Sequence, residues 1–373
     1  MDHANRAETR LEELSPAFRK LTGWPNLLCA WRRAARGKRG GAAVAEFEFR
    51  AEERLGAIRE ALLERTYMPG PYAHFFIHEP KRRKISAAPF ADRVVHHALT
   101  QVIEPRFEAL FHAHSYANRR GFGNLKAVQR MQALARQHRY VLRADIRQHF
   151  ASIDHAVLKH ILWQRIPEAD LRWLISVILG SGADVLADEY RYVRFEGDDL
   201  LSQLRPRGLP IGNLTSQFWS NCYLHPFDQF VQRELGCRAY LRYVDDFALL
   251  SDCTRTLWGW KQAIIERLAG VRLTVHATRA QVTPVRHGIP WLGFVLYPHK
   301  RRVKARKVRA THKRLHTRLD AYHNGDISFG ELHASIIGWQ AHAAQADTLG
   351  LRERVLDSLV IVPARHERAK ARS

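Results

Sequence analysis

Apolar and polar residues alternate most clearly over positions 140–146. Tyr140, Leu142, Ala144 and Ile146 fall on one side of an extended chain, and Val141, Arg143 and Asp145 on the other. This predicts a strand with Asp145 projecting near its end. A second β pattern is a hairpin: residues 239–244 ascend, residues 247–250 descend, and Asp245-Asp246 sits at the tip. Helical spacing predicts helices over 43–64, 92–111, 125–138, 155–165, 168–179 and 218–234, the first stopped by Pro69-Gly70-Pro71. Asp154 fits the N-cap of the helix at 155, with Ile153 and Leu158 as its hydrophobic staple. Leu11, Leu14, Phe18 and Leu21 make an amphipathic start, and the basic, glycine-containing run 32–41 reads as a loop or tether.

Between these elements lie three polar segments with chemical content. Residues 72–78 are strand-like, Glu79-Pro80 turns, Lys81-Arg82-Arg83-Lys84 crowds four cations, and extended chain resumes to residue 90. Such a ribbon suits phosphate, which Arg binds in a bidentate manner, although an exposed cationic turn has the same composition. Gly208-Leu209-Pro210-Ile211-Gly212-Asn213 brackets a tight turn before the helix at 218, where Asn213 or Thr215 can cap and glycine admits a close backbone approach. Residues 299–309 are strongly basic and run into a helix reaching Tyr322.

Charge narrows the function. Lys and Arg number 59 against 37 Asp and Glu, a net charge of +22, which on a folded chain of 373 residues points to a polyanionic partner, nucleic acid first. Anionic membrane is disfavoured because no apolar run approaches the roughly 18 residues of a span, and the N-terminus has no signal-peptide character. Cys29, Cys222, Cys237 and Cys253 show no C-x-x-C pairing and read as reduced core thiols. Against this background the paired aspartates stand out. Two adjacent unit charges 4 Å apart repel by about 4 kcal/mol at an effective dielectric near 20. A divalent cation removes that repulsion.

Asp145-x4-Phe150, then Leu209-Pro210-Ile211-Gly212-x3-Ser216-Gln217, then Tyr243-Val244-Asp245-Asp246 resemble, in order and spacing, the three palm motifs of reverse transcriptases. The resemblance runs from about Tyr72 to Trp339, through the ribbon 79–86, the loop Ser115-Tyr116-Ala117-Asn118-Arg119 and a primer-grip-like hairpin Trp291-Leu292-Gly293-Phe294. Gly197-Asp198-Asp199, which resembles the metal-binding turn of RNA-templated RNA polymerases, precedes the glycine segment and is therefore out of order; it is read as a loop. Group II intron and retron enzymes carry Gln-Gly-x3-Ser-Pro in the middle motif. Ile211-Gly212-x3-Ser216-Gln217 is instead similar to the reverse transcriptases of diversity-generating retroelements, as is Gly338-Trp339-Gln340-Ala341-His342.

The resemblance implies an α+β right-hand polymerase fold: an N-terminal extension at 1–40, fingers at 41–139, a palm at 140–298 of antiparallel sheet flanked by helices, with an insertion at about 166–207, and a helical thumb with basic tail at 299–373. It implies two Mg²⁺ ions, with Mn²⁺ able to substitute, held by Asp145, Asp245, Asp246 and the Ile146 carbonyl. The incoming deoxynucleotide would meet Lys81, Arg83, Phe150 as a steric gate, Ile211, Gly212 and Gln217. Template RNA and the RNA/DNA duplex would meet Arg119, Trp291, Gly293, Lys304 and Lys307. Further implications are error-prone copying at template adenines, a small basic oligomeric accessory protein, a bacterial or phage-encoded cytoplasmic enzyme, and no membrane contact. No maturase, DNA-binding, nuclease or ribonuclease H segment is expected. A retron or intron-type enzyme, and an inactive RNA-binding scaffold, are the competing readings.

Overall fold

A computed structural model describes residues 14–78, 82–276 and 278–362. The helices before the first strand are α1 (Pro16–Thr22), α2 (Trp24–Ala35), α3 (Ala42–Phe49) and α4 (Ala51–Leu63). The helix expected over 43–64 is thus two, broken at Arg50, whose φ of −125° and ψ of 39° leave the helical region. The basic run at 32 also begins inside a helix: Arg32 and Arg33 lie in the last turn of α2, where cations complement the carbonyl end. A two-stranded ribbon follows, β1 (Ala73–Ile77) and β2 (Arg83–Ala87), then α5 (Phe90–Glu108) and α6 (Asn124–Ala135).

The centre of the molecule is a four-stranded antiparallel sheet. It is built from β3 (Tyr140–Asp145), β4 (Tyr240–Tyr243), β5 (Asp246–Ser251) and β6 (Gln281–Pro284) in the order β4-β5-β3-β6. Between β3 and β4 come α7 (His149–Ser152), α8 (His155–Trp163), α9 (Ala169–Ser181) and α10 (Leu214–Arg233), and α11 (Thr254–Ala269) follows β5. The 140–146 alternation is realised as read. Leu142, Ala144 and Ile146 enter a large core with α1, α2, α5 and α8–α11, while Val141 enters a second core with α6 on the opposite face. Phe18, Leu21, Leu27 and Ala30 are fully buried in that large core, so the start of the chain is part of the scaffold. Asp154 caps α8, accepting the N–H groups of Ala156 (2.9 Å) and Val157 (3.0 Å).

Three short strands, β7 (Ile289–Trp291), β8 (Phe294–Leu296) and β9 (Arg301–Val303), form a second antiparallel sheet against the smaller core. The helices α12 (Ala305–Asn324), α13 (Phe329–Ala343) and α14 (Leu349–Asp357) then enclose a core of their own, around Leu315, Leu319, Leu332, Ile336 and Trp339. Antiparallel sheet flanked by helices, with a separate helical unit at the end, is the mixed architecture expected from the sequence. Cys222 and Cys237 are buried as expected, but Cys253 is exposed at the start of α11. Among the described residues no helix is long and apolar enough to cross a membrane.

Candidate active site

Pairing in the central sheet brings the aspartates together. Asp145, the last residue of β3, lies directly opposite Asp246, the first residue of β5. Tyr243 also pairs with Asp246, so the tip of the hairpin is Val244-Asp245, one residue earlier than the sequence suggested. Val244 has a φ of 58°. A branched side chain in the left-handed region costs on the order of 1–3 kcal/mol and persists only where surroundings impose it.

The imposing groups are buried beneath the hairpin. Arg242 and Asp228 of α10 form an ion pair at 2.6 Å with both side chains fully excluded from solvent. Asp228 also accepts from the Tyr240 hydroxyl (2.6 Å), and Arg242 reaches Asn221 Oδ1 (3.2 Å) and the Val244 carbonyl (3.0 Å). The guanidinium thus ties the strained turn to helix α10. On the other edge, Arg242 N–H donates to His114 O (2.9 Å) and Tyr116 N–H to Arg242 O (3.0 Å), which fastens the loop 114–116 to β4.

Electrostatics follow from this crowding. Burial pushes the Asp245 carboxyl up to about 6, with the charges of Asp246 and Asp145 adding to it and Arg83 opposing. Burial also raises Asp246, Asp145 adds, and Arg143, Lys304 and Arg279 work against them. Asp145 itself is paired with Arg279, Nη1 to Oδ2 at 2.7 Å, and Arg279 is half exposed. The Ile146 N–H donates to the Asp245 carbonyl (3.2 Å), and its own carbonyl takes no hydrogen bond among the described residues. Among those residues no three or more His, Cys, Asp or Glu are arranged to hold a metal ion as they stand. The donor set still suits a hard divalent cation: three carboxylates whose repulsion such an ion would relieve, one of them already holding a cationic side chain.

Around the aspartates, the other candidate residues divide. Phe150 is half-buried in α7, edge-on to His149 with ring centres 5.3 Å apart, and its carbonyl accepts the Leu209 N–H (2.8 Å). Phe150 is thereby stitched to the glycine loop. Ile211 is partly exposed, Gly212 holds a φ of 115°, and Gln217 is exposed on the first turn of α10. The exposed side chain of Arg83 makes no hydrogen bond or ion pair among the described residues, whereas Lys84 is anchored by Val185 O and Asp188 (both 3.1 Å). Lys81 lies outside the described residues. The hairpin at 291–294 turns through Leu292 (φ 41°) and Gly293 (φ 98°), the type I′ geometry. Lys304 N–H donates to Gly293 O at 3.1 Å, and a Cβ on Gly293 would sit 2.5 Å from Lys307 Nζ, so a larger residue would displace the tip of that lysine from the turn.

Two residues expected at nucleic acid have largely enclosed side chains. Arg119 is spent internally: it pairs with Glu108 (2.7 Å) and donates to the carbonyls of His112 (2.7 Å) and Ser115 (2.9 Å), with its side chain 5% exposed. Trp291 is 1% exposed and supports the hairpin from within the smaller core. Gly197-Asp198-Asp199 is a loop, as its order suggested. Asp198 is clamped by Arg272 (2.6 and 3.0 Å), which holds its carboxyl well below the usual range, and Asp199 caps a short turn with Ser202. The Arg242–Asp228 pair and Arg279 were missed. The signal for the pair was one charge inside each of two otherwise uncharged runs, Arg242 within 239–244 and Asp228 within 218–232, whereas Arg279 carried no such signal.

Comparison with known proteins bears on the family of the chain. Residues 78–296 match the family model described as reverse transcriptase (RNA-dependent DNA polymerase). The chain is similar to protein YkfC of Escherichia coli strain K12, 24% identical over 300 residues, which span 69% of this chain and 74% of that protein. It is also similar to the group II intron-encoded protein LtrA of Lactococcus lactis subsp. cremoris, 26% identical over 187 residues, 48% of this chain but only 28% of LtrA. Among solved structures, apo telomerase of Candida tropicalis truncated from its C-terminal domain aligns at a TM-score of 0.46 and 11% identity, covering 66% of this chain and 59% of that one. Telomerase of Candida albicans in complex with a fragment of telomeric RNA aligns at 0.42 and 11%, covering 69% and 51%. With the family model covering more than half of its length, the chain belongs to the reverse transcriptase family of RNA-dependent DNA polymerases.

Proposed function

We propose that this protein copies an RNA template into DNA by nucleotidyl transfer, and that it is the polymerase of a diversity-generating retroelement. The observation that carries the first part is the pairing of Asp145 with Asp246 beside Asp245 in a strained, tethered turn. Asp145, Asp245, Asp246 and the Ile146 carbonyl would hold divalent cations, Mg²⁺ or Mn²⁺ in its place, once Arg279 yields Asp145. Bound there, two such ions would favour the 3′-hydroxylate of the primer and neutralise charge developing on the pyrophosphate. The residues do the rest. Arg83, whose guanidinium is unpaired among the described residues, meets the triphosphate, and Lys81 is assigned the same role. Gly212 and Gln217 border the nucleotide, and the Phe150 ring closes the sugar side against a 2′-hydroxyl. Lys304 and Lys307, lying over the Gly293 turn, meet phosphates of the RNA/DNA duplex.

The fingers are assigned to 41–139, the palm to 140–298 and the thumb to 299–373, with 1–40 as an extension. The retroelement assignment rests on Ile211 and Gln217 in the middle motif. An apolar Ile211 offers the nucleotide no hydrogen bond, so discrimination there is weaker than a polar side chain would give, consistent with copying errors at template adenines. A small basic oligomeric accessory protein and a cytoplasmic setting in bacteria or phage go with that assignment. The test is sequencing cDNA made by wild type and Ile211→Gln on one RNA template. Fewer substitutions at adenines are expected; an unchanged error spectrum overturns the retroelement reading, and no RNA-templated DNA that depends on Asp245 overturns the polymerase reading.

A further inference from the structure

Asn213 stands at the start of α10, where an Asn side chain ordinarily accepts the helix's own N–H groups, yet it makes no such bond. Its amide bridges two distant segments instead. Nδ2 donates to Ser86 O (2.8 Å) and to Pro210 O (3.2 Å), and Oδ1 accepts the N–H of Ala88 (3.2 Å). The Ser86 N–H donates in turn to Ile211 O (2.8 Å). Asn213 is 2% exposed, so none of these groups has water to fall back on. Gly212 closes the seam: a Cβ there would sit 2.9 Å from Ile85 Cγ2, so the loop lies directly on β2.

The two segments joined are the two walls of the nucleotide site. β2 begins at Arg83, whose charge is felt at Asp245, and continues through Lys84, which is itself fastened to residues 185–188. The loop carries Ile211 and leads to Gln217. Ser86 and Asn213 are 127 positions apart along the chain, and one side-chain amide spans the junction. We infer that Asn213 is a positioning residue: its amide sets the register of the strand bearing Arg83 against the loop bearing Ile211, and so assembles the pocket that receives a deoxynucleoside triphosphate. This rests on the polymerase reading, since that reading gives the pocket its ligand.

The chemistry of the bridge selects the variants. Asn213→Asp keeps the acceptor for Ala88 but turns a second oxygen on two carbonyls with no proton to share. Asn213→Ala leaves all three partners unpaired, and Asn213→Ser, which keeps a hydroxyl but cannot span them, is the milder change should alanine not fold. Three readouts are taken: the Kd of mant-dATP, the Kd of a labelled RNA/DNA primer–template, and hydrogen exchange at the Ser86 and Ala88 amides. The expected result is nucleotide affinity weakened about tenfold or more, duplex affinity unchanged, and faster exchange at Ser86 in each variant and at Ala88 in the alanine and serine variants, but not at Phe247 or Leu249.

An unchanged mant-dATP affinity in a variant whose Ser86 and Ala88 amides exchange faster overturns the inference. So does equal weakening of nucleotide and duplex, which marks general loosening, and so does unchanged exchange at those amides. If wild type binds both ligands but makes no DNA, the polymerase reading falls while the bridge stands. If wild type makes DNA and the variants bind nucleotide normally, the bridge alone falls. Wild type that fails to bind mant-dATP overturns both.

Discussion

Replacing Asp228 by Asn keeps the shape of the side chain and removes its charge, leaving Arg242 buried at 0% exposure without a counter-ion. Breaking a buried pair in this way costs about 3–5 kcal/mol, a large share of the roughly 5–15 kcal/mol that holds most domains folded. With an unfolding entropy of about 2.1 cal/mol/K per residue, a chain of 373 residues shifts by roughly 1–2 °C per kcal/mol, so the Tm falls by roughly 3–10 °C, read by differential scanning fluorimetry. The informative partner is the double variant Asp228→Leu with Arg242→Met. Exchanging a buried pair for apolar side chains of similar volume is often neutral or stabilising by about 1–4 kcal/mol, so the Tm should return towards wild type. Activity should not return, because the 3.0 Å bond from Arg242 to the Val244 carbonyl is gone and the turn bearing Asp245 loses its tether. A single variant with wild-type Tm refutes the energetic argument, and a double variant with restored Tm and full primer extension refutes the positioning role of Arg242.

Arg279→Ala removes a half-exposed partner of Asp145; such pairs contribute about 0–1 kcal/mol, so the Tm should barely move, while calorimetry should show tighter Mn²⁺ binding; unchanged or weaker binding counts against Arg279 as the ion's competitor. Because the Asp245 carboxyl is raised to about 6 in the folded chain, the metal-free protein loses stability as pH rises from near 4 through 6, where the unfolded chain has released its proton and the folded chain is still doing so. Asp245→Asn should therefore raise the metal-free Tm at pH 8 and leave it unchanged at pH 4, and a Tm difference independent of pH refutes the shift. Phe150→Ala should admit ribonucleotides, raising kcat/KM for rNTPs relative to dNTPs by about tenfold or more, and an unaltered ratio in primer extension removes the ring from the sugar gate.

Much of the site's framework was readable from local pattern. The 140–146 alternation named both the strand and the face of Asp145, and Asp154 announced its cap because capping depends on neighbours three residues away. The turn was misplaced by one residue because local rules put glycine or Asn, not Val, at a positive φ. A buried guanidinium supplied by the fold overrides that preference. Several other departures share one cause, a partner far along the chain. Lys84 is held by Asp188, Asp145 by Arg279 and Asn213 by Ser86, at separations of 104, 134 and 127 residues. Arg119 is different: its partner Glu108 is only 11 residues away, but they meet across a loop whose path no periodicity reveals.

The helices after Ala305 have a bearing on heat as well as on grip. Leu315, Leu319, Leu332, Ile336 and Trp339 pack with one another in a core distinct from the two that flank the central sheet. A unit with its own core opens as its own cooperative block. Warming is therefore expected to act on the cation-rich helix and on the aspartates through separate transitions, so that under the proposed function release of a duplex and loss of chemistry fall at different temperatures.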